Sequence, residues 1–277
     1  MYSANINKII PFSSVDGPGN RTAIFLQGCN FDCKYCHNPE TRNNCINCMD
    51  CVKPCPASAL KVENNKVIFV PEKCIACDNC IKICKHGATP RIIRLSSEET
   101  FKKISENMPF IRGVTFSGGE CMLYPEFMRE VFVLCKKNGL GTLIDSNGSI
   151  DFENMNDLLL VSDGVMLDIK AYDEKEHIKV TAVKNDIVLK NALFLAKMGK
   201  LFEVRTVVPG LFDCKKTVYE TSSLLAPFLK ISNIRYKLIK YRENGVRKEY
   251  RVYKTPSDTV MREVEEIVRK NGFNDVV

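Results

Sequence analysis

The chain of 277 residues has no apolar run near the ~20 residues that span a bilayer, so it should contain no membrane helix. Its first ten residues also lack a basic region followed by an apolar stretch, and we therefore expect no signal peptide and a cytoplasmic protein. The net charge of +7 is too mild for this length to indicate nucleic acid as a partner. With 45% hydrophobic and 26% charged residues, the composition predicts a folded globular protein.

Cysteine is the feature that stands out against this ordinary background. The chain has fourteen, and eleven of them lie between Cys29 and Cys84. A disulfide scaffold would be shorter and secreted, so clustered thiols in this chain indicate metal binding instead. The other three, Cys121, Cys135 and Cys214, are scattered, and we expect them to be buried as small hydrophobic residues.

Eight of the clustered cysteines form an internal repeat, in which each cysteine of the first run recurs 29 positions later. The spacing within each run, x2, x2 and x3, is that of bacterial ferredoxins, where the fourth cysteine of one run ligates the cluster of the other. Two four-cysteine zinc sites are the alternative, although zinc ribbons use paired C-x2-C motifs. The two predicted [4Fe–4S] ligand sets are Cys45, Cys48, Cys51 and Cys84, and Cys74, Cys77, Cys80 and Cys55.

Between the two runs, residues 60–70 read as a hairpin that turns at Asn64-Asn65. Outside residues 38–91 the sequence alternates between apolar, β-branched runs and helical patterns. Six such units predict an α/β fold, a partial (β/α)6 barrel with parallel strands. We therefore expect a discontinuous barrel of residues 1–37 and 92–277, with residues 38–91 inserted as a ferredoxin-like module.

Polar motifs follow five of the predicted strands, where barrel enzymes assemble their active sites. They are Gln27-Gly28-Cys29, Ser117-Gly118-Gly119-Glu120, Asp145-Ser146-Asn147-Gly148, Asp168-Ile169-Lys170 and Pro209-Gly210. The first of these motifs ends at Cys29, where the run Cys29-x3-Cys33-x2-Cys36 begins. This run supplies three thiolates and no fourth, because the later cysteines belong to the repeat. Three ligands leave one iron of a four-iron cluster open to substrate, as catalytic metal sites require.

The run C-x3-C-x2-C after a strand resembles the signature of the radical S-adenosylmethionine (SAM) superfamily. The resemblance implies that Cys29, Cys33 and Cys36 carry the catalytic cluster, whose open iron binds the methionine part of SAM. Reductive cleavage of SAM there yields a 5′-deoxyadenosyl radical. The resemblance also implies further SAM contacts, at Tyr35 beside the adenine, His37 in the pocket, the motif Gly118-Gly119-Glu120 at the amino group and Lys170 at the carboxylate.

Other motifs resemble one branch of that superfamily, the glycyl-radical-enzyme activating enzymes typified by pyruvate formate-lyase activating enzyme. These are Asp16–Arg21, Phe25–Cys29, Cys36–Thr41, Met166–Lys170 and Arg205–Gly210. The YjjW-type activases of this branch also carry a two-cluster ferredoxin insert. The resemblance implies a monovalent-cation site at Asp145 and Asp168 with the backbone of Ser146 and Met166. One departure is Arg242, which follows Tyr241 where a histidine is usual.

The expected function is therefore an anaerobic activase that cleaves SAM and installs a glycyl radical on a partner glycyl radical enzyme. Ferredoxin or flavodoxin would supply electrons, with the insert clusters serving relay or docking, and nothing in the sequence demands more than a monomer. A radical SAM enzyme for a small molecule or RNA is one alternative, supported only by the basic, tyrosine-containing stretch Arg235–Lys254, which could equally be a solvated strand and loop. A pure electron carrier is another, but it leaves Glu120, Asp168 and Lys170 unexplained.

Overall fold

The computed structural model describes residues 1–210 and 214–277. Its main sheet has eight strands in the described part of the chain, in the order β10-β9-β8-β7-β6-β2-β1-β5, and β3 and β4 form a separate hairpin. The strands are β1 (Ser3–Ser13), β2 (Arg21–Leu26), β3 (Leu60–Glu63), β4 (Lys66–Phe69), β5 (Ile93–Ser96), β6 (Gly113–Gly118), β7 (Gly141–Ser146), β8 (Gly164–Asp168), β9 (Leu201–Val208) and β10 (Arg235–Lys240).

The six predicted units are confirmed: β2, β6, β7, β8, β9 and β10 pair in parallel, each with the next. Such a sheet forms an open, partial barrel whose carboxyl strand ends share one rim. Two further strands, β1 and β5, were not predicted. The first lies antiparallel to β2, and the second lies antiparallel to β1, so together they extend the sheet beyond its first parallel strand.

The helices between the strands carry apolar residues at three- and four-residue steps and bury that face against the sheet. In α2, the Ser96 hydroxyl accepts a hydrogen bond from the Glu99 amide, and the Glu99 carboxylate accepts one from the Ser96 amide. No described helix is long and apolar enough to cross a membrane. The helices are α1 (Asn79–Ile83), α2 (Ser97–Ser105), α3 (Pro125–Lys137), α4 (Asn156–Leu160), α5 (Glu174–Thr181), α6 (Asp186–Lys197), α7 (Cys214–Leu225) and α8 (Asp258–Lys270).

The hairpin between the two cysteine runs is also present. β3 and β4 pair from Leu60 opposite Phe69 to Glu63 opposite Lys66, and Asn64 and Asn65 both have positive φ. Two consecutive left-handed residues make the tight turn whose twist matches paired strands, and asparagine tolerates that conformation better than most residues. The turn at Asn64-Asn65 is thus confirmed.

Candidate functional site

The three thiols of the C-x3-C-x2-C run line one cavity at the carboxyl rim of the barrel. Its wall includes Cys29, Cys33, Cys36, Gly118, Gly119, Arg42 and Arg247. The loop is fixed by backbone hydrogen bonds, from Cys29 N to the Arg42 carbonyl at 2.8 Å and from Asp32 N to the Thr181 carbonyl at 2.9 Å. These contacts hold the loop so that all three thiols line the same cavity.

The chemical state of these thiols follows from their surroundings. Burial raises the pKa of Cys29 to about 11 and that of Cys33 to about 12, and it also raises the pKa of Cys36. The bare thiols therefore stay protonated near neutral pH, and iron binding would release their protons. The charge of Lys170 counteracts the rise at all three positions.

The glycines after β6 allow the backbone to pass very close to the cysteine loop. A Cβ on Gly118, where φ is +120°, would lie 2.3 Å from the Leu26 backbone, and one on Gly119 would lie 2.1 Å from the Gly28 carbonyl oxygen. Neither position tolerates a side chain, since real Cβ atoms do not approach backbone this closely. The two glycines thus seat the end of β6 directly against the loop that carries Cys29.

Glu120 follows these glycines, but its carboxylate is engaged within the protein. It is buried and accepts hydrogen bonds from the amides of Met122 and Asn147, at 3.0 and 2.7 Å, and from the Ser146 hydroxyl at 2.8 Å. Burial raises its pKa to about 7. Asn147 in turn has its side-chain amide 3.7 Å from the Cys29 sulfur. In this structure Glu120 links the ends of β6 and β7, and its predicted contact with SAM stays a prediction.

A buried ionic network lies below the rim, inside the barrel. Asp145 forms an ion pair with Arg205 at 2.8 Å and accepts from the Ser117 hydroxyl at 2.9 Å. Arg205 also contacts the buried Glu203 and lies 3.0 Å from the sulfur of Met166. Burial raises the pKa of Asp145, and the Arg205 guanidinium opposes that rise. The sequence did not indicate a role for Arg205, because its partner Asp145 on β7 is sixty residues away along the chain.

The end of β8 adds a second ion pair at the same rim. The Lys170 ammonium lies 2.6 Å from the Asp168 carboxylate, and the Tyr35 hydroxyl donates to the Lys170 carbonyl at 3.2 Å. Tyr35 lies one residue before the last cysteine of the run. The structure thus brings together two predicted SAM-contacting residues, Tyr35 and Lys170, and the predicted cation ligand Asp168.

His37 lies next to the last cysteine and faces the segment after β10. Its Nε2 is 3.0 Å from the Arg242 carbonyl oxygen, and its ring lies 6.4 Å from that of Tyr241. Partial burial lowers the pKa of His37, so the ring is neutral near pH 7. Arg242 thus meets His37 through its backbone.

The basic stretch Arg235–Lys254 is a strand and loop with a solvated face, because Arg242, Lys248 and Arg251 are exposed while its tyrosines turn inward. Tyr236 and Tyr241 are fully buried. The rings of Tyr250 and Tyr253 pack, together with Tyr35, against one small apolar cluster. Because these aromatic rings are turned into the protein, the stretch lacks the exposed stacking faces on which single-stranded nucleic acid binding depends.

The two predicted cluster sites of the insert each line a separate cavity. The wall of one includes Cys45, Cys48, Cys51 and Cys84, and that of the other includes Cys55, Cys74, Cys77 and Cys80. Each cavity thus collects three cysteines of one run and the fourth cysteine of the other. Within the described ranges, no three His, Cys, Asp or Glu side chains form a site for a single metal ion.

The backbone of the insert repeats with the same period as its cysteines. Left-handed residues occur 29 positions apart three times, at Asn47 and Ala76, Met49 and Asp78, and Ser58 and Gly87. Amide hydrogen bonds repeat as well: those of Val52, Cys55 and Ser58 recur at Ile81, Cys84 and Gly87, each to the residue three before. The sequence repeat therefore encodes two copies of one local structure. The scattered Cys121, Cys135 and Cys214 are buried, as expected.

Comparison with known proteins places this geometry in context. The family model of the radical SAM superfamily matches residues 23–220. An indoleacetate decarboxylase activating enzyme of Tractidigestivibacter scatoligenes is 28% identical over 99% of this chain and 97% of its own length. A trans-4-hydroxy-L-proline dehydratase activating enzyme of Clostridioides difficile is 31% identical over 94% of each chain. The crystal structure of QueE from Escherichia coli, 15% identical, covers 99% of this chain and 92% of its own with a TM-score of 0.53, a likeness of fold.

Proposed function

Because the chain belongs to the radical SAM superfamily and to its glycyl-radical-enzyme activating branch, we propose that its substrate is a backbone glycine of a partner glycyl radical enzyme. The chain is an enzyme that reductively cleaves SAM for this purpose. The observation that carries the proposal is the single cavity that joins Cys29, Cys33 and Cys36 to Gly118 and Gly119 at the barrel rim. Such a rim is where barrel enzymes bind substrate.

The residues present fit a four-iron cluster with one open iron. Three thiols face one cavity, and no fourth cysteine belongs to its wall. Bound there, the cluster would supply the electron that breaks a C–S bond of SAM to give methionine and the 5′-deoxyadenosyl radical. Abstraction of a hydrogen atom from the partner's glycine would then give 5′-deoxyadenosine and a glycyl radical.

The protein's own groups would orient SAM beside that cavity. Lys170 would pair with the SAM carboxylate and Tyr35 would pack beside the adenine, with His37 shaping the pocket. The Gly118-Gly119 backbone and Glu120 would serve the amino group. A monovalent cation would bind Asp145 and Asp168 with the backbone of Ser146 and Met166. Arg205, already paired with Asp145, would then share that carboxylate with the cation.

Residues 38–91 would form a ferredoxin-like module with two further [4Fe–4S] clusters, giving three per chain. The two cavities, each lined by four cysteines in the crossed pattern, support this proposal, and so does the repeated backbone. Crossed ligands tie the two copies together, so a short segment can fold around its clusters with little apolar core. Ferredoxin or flavodoxin would be the electron donor to this module.

The SAM-cleaving function is tested by anaerobic reconstitution with iron and sulfide, followed by dithionite and SAM. We expect 5′-deoxyadenosine from the parent chain and none from the Cys29→Ala, Cys33→Ala, Cys36→Ala triple variant. Cys135→Ala, a buried cysteine outside every proposed site, is the matched control and should retain product. Product from the triple variant at the parent's rate would contradict the assignment.

The insert is tested separately by its metal content. Three four-iron clusters predict about twelve irons per parent chain and about eight in the triple variant. Replacing Cys45, Cys48, Cys51 and Cys84 by alanine should also leave about eight or fewer irons, with the Cys29 cluster still able to cleave SAM when dithionite is the reductant. Zinc in the isolated protein at the expense of iron would overturn the proposed insert but not the SAM-cleaving function.

A further inference from the structure

Residues 241–253, which follow β10, pack against the cysteine loop. A Cβ on Gly245, where φ is +81°, would lie 2.2 Å from the His37 carbonyl oxygen. The Tyr253 ring meets the Tyr35 ring edge-on at 6.2 Å. This segment therefore packs along the turn from Cys33 to Cys36, and nothing in the proposed chemistry so far uses it.

Arg247 is the residue of this segment that reaches the thiol cavity. One of its guanidinium nitrogens contacts the Asp32 carboxylate and, at 3.2 Å, the Cys33 carbonyl oxygen. The guanidinium carbon lies 4.5 Å from the centre of the Tyr250 ring, a distance at which a cation is attracted to the ring face. Its side chain is only 21% exposed and forms part of the cavity wall. Arg247 is thus held from two sides beside the cysteine sulfurs.

Asp32, inside the C-x3-C run, is shared between Arg247 and Arg42. Both arginines approach the same Asp32 carboxylate oxygen, so the three side chains form one ion-pair cluster. Both arginines line the cavity. Two guanidinium groups against one carboxylate leave a net positive charge next to Cys29, Cys33 and Cys36.

We propose that Arg247 is a positioning residue that fixes the Cys33–Cys36 turn and, with Arg42, favours the reduced state of the cluster held by that turn. The inference rests on the proposed function, since it assigns a cluster to these cysteines. A reduced cluster carries one more negative charge than an oxidised one, and a nearby cation stabilises it. In a partly buried site that effect is weakly screened by water and salt.

This charge relationship predicts opposite effects from the two partners of one ion pair. Arg247→Met removes a positive charge and should lower the midpoint potential, so that the ratio of reduced to oxidised cluster at a fixed potential falls severalfold. Asp32→Asn removes a negative charge and should raise that ratio severalfold. Arg247→Lys keeps the charge but loses the planar guanidinium beside the Tyr250 ring, and its ratio should stay within about twofold of the parent. A contact that only holds the loop would change both variants in the same direction.

The experiment is a redox titration of the reconstituted full chain, followed by electron paramagnetic resonance at low temperature. The signal of the Cys29 cluster is the part that the Cys29→Ala, Cys33→Ala, Cys36→Ala variant lacks, so its assignment does not depend on SAM turnover. Lys248→Met is the matched control. It removes the same charge from the adjacent exposed residue and should leave the potential unchanged.

Opposite shifts in Arg247→Met and Asp32→Asn, with Lys248→Met unchanged, would support the inference. Unchanged potentials, or shifts of the same sign, would overturn it. If Arg247→Met does not retain its cluster, Asp32→Asn decides the matter: a potential above the parent's would support the inference, and one equal to or below the parent's would overturn it. Failure of the proposed function would appear differently, as absence of 5′-deoxyadenosine from a parent chain whose potentials still respond.

Discussion

The Lys170 ammonium lies 2.6 Å from the carboxylate of Asp168, two residues earlier at the end of β8. Burial lowers the pKa of Lys170, but Asp168 and the neighbouring Cys33 and Tyr35 outweigh burial and raise it. Lys170 therefore remains cationic across the working pH range. A fixed cation beside the thiol cavity is what the carboxylate of bound SAM requires.

Replacing Lys170 by methionine should weaken SAM binding at least tenfold, about 1.4 kcal/mol, because a buried partner of a carboxylate is lost. The change should appear in the KM for SAM during 5′-deoxyadenosine formation and in equilibrium binding of SAM. Lys179→Met, which removes an exposed lysine from α5, is the control and should leave both unchanged. Equal affinity in Lys170→Met and the parent would remove Lys170 from the SAM site.

Arg205 joins β7 and β9 by pairing with Asp145 and Glu203. Its replacement by methionine leaves the buried Asp145 without its cation, which typically costs about 3–5 kcal/mol, while Glu203 keeps Arg235 at 3.4 Å. Asp145→Asn should cost less, because Arg205 keeps its contact with Glu203. Urea unfolding of the two variants measures the difference. A smaller loss of unfolding free energy in Arg205→Met than in Asp145→Asn would show that the network does not hold the barrel in this way.

Glu120 should make the free energy of unfolding measurably dependent on pH. Its folded pKa of about 7 is raised above the ordinary value of 4.5, so the folded state holds the proton more tightly than the unfolded state. The stability due to this group is fully present below about pH 4.5 and is lost as the pH rises toward and through 7. Between pH 5 and pH 7 the loss amounts to about 2 kcal/mol.

The glutamine in the Glu120→Gln variant cannot ionise, so this variant should lack the pH-dependent contribution of Glu120 to the free energy of unfolding. We therefore expect the difference in unfolding free energy, parent minus Glu120→Gln, to decrease from pH 5 to pH 7. Taking the difference removes the contributions of all other titrating groups. A difference that is constant over this range would indicate that Glu120 is ionised throughout in the folded protein.

The features that could be predicted from the sequence are local ones. The cysteine spacings, the turn at Asn64-Asn65 and the six parallel strands each depend on residues close together in the chain. The strands β1 and β5 were missed because β1 mixes polar residues and Pro11 into its apolar pattern. Its place in the sheet depends on pairing with β2 and β5, up to about ninety residues away.

In the candidate site, too, local features could be predicted and long-range contacts could not. Sequence predicted which residues would meet at the rim, but not the partners that hold them. Glu120 bonds to the end of β7, and Arg247 reaches Asp32 over more than two hundred residues. Two readings of the stretch Arg235–Lys254 stayed open for the same reason, since charge and tyrosine content alone do not reveal that the rings turn inward against Tyr35.

The central claim is that the radical made by this chain passes to a glycine of a partner protein. Each glycyl radical enzyme encoded in the same genome would be purified and incubated anaerobically with the reconstituted chain, SAM and dithionite. The account predicts a glycyl radical signal by electron paramagnetic resonance with one of them. That signal should be absent when the partner's radical-bearing glycine is replaced by alanine, or when Cys29, Cys33 and Cys36 are. Formation of 5′-deoxyadenosine with no glycyl radical on any of these enzymes would contradict the account.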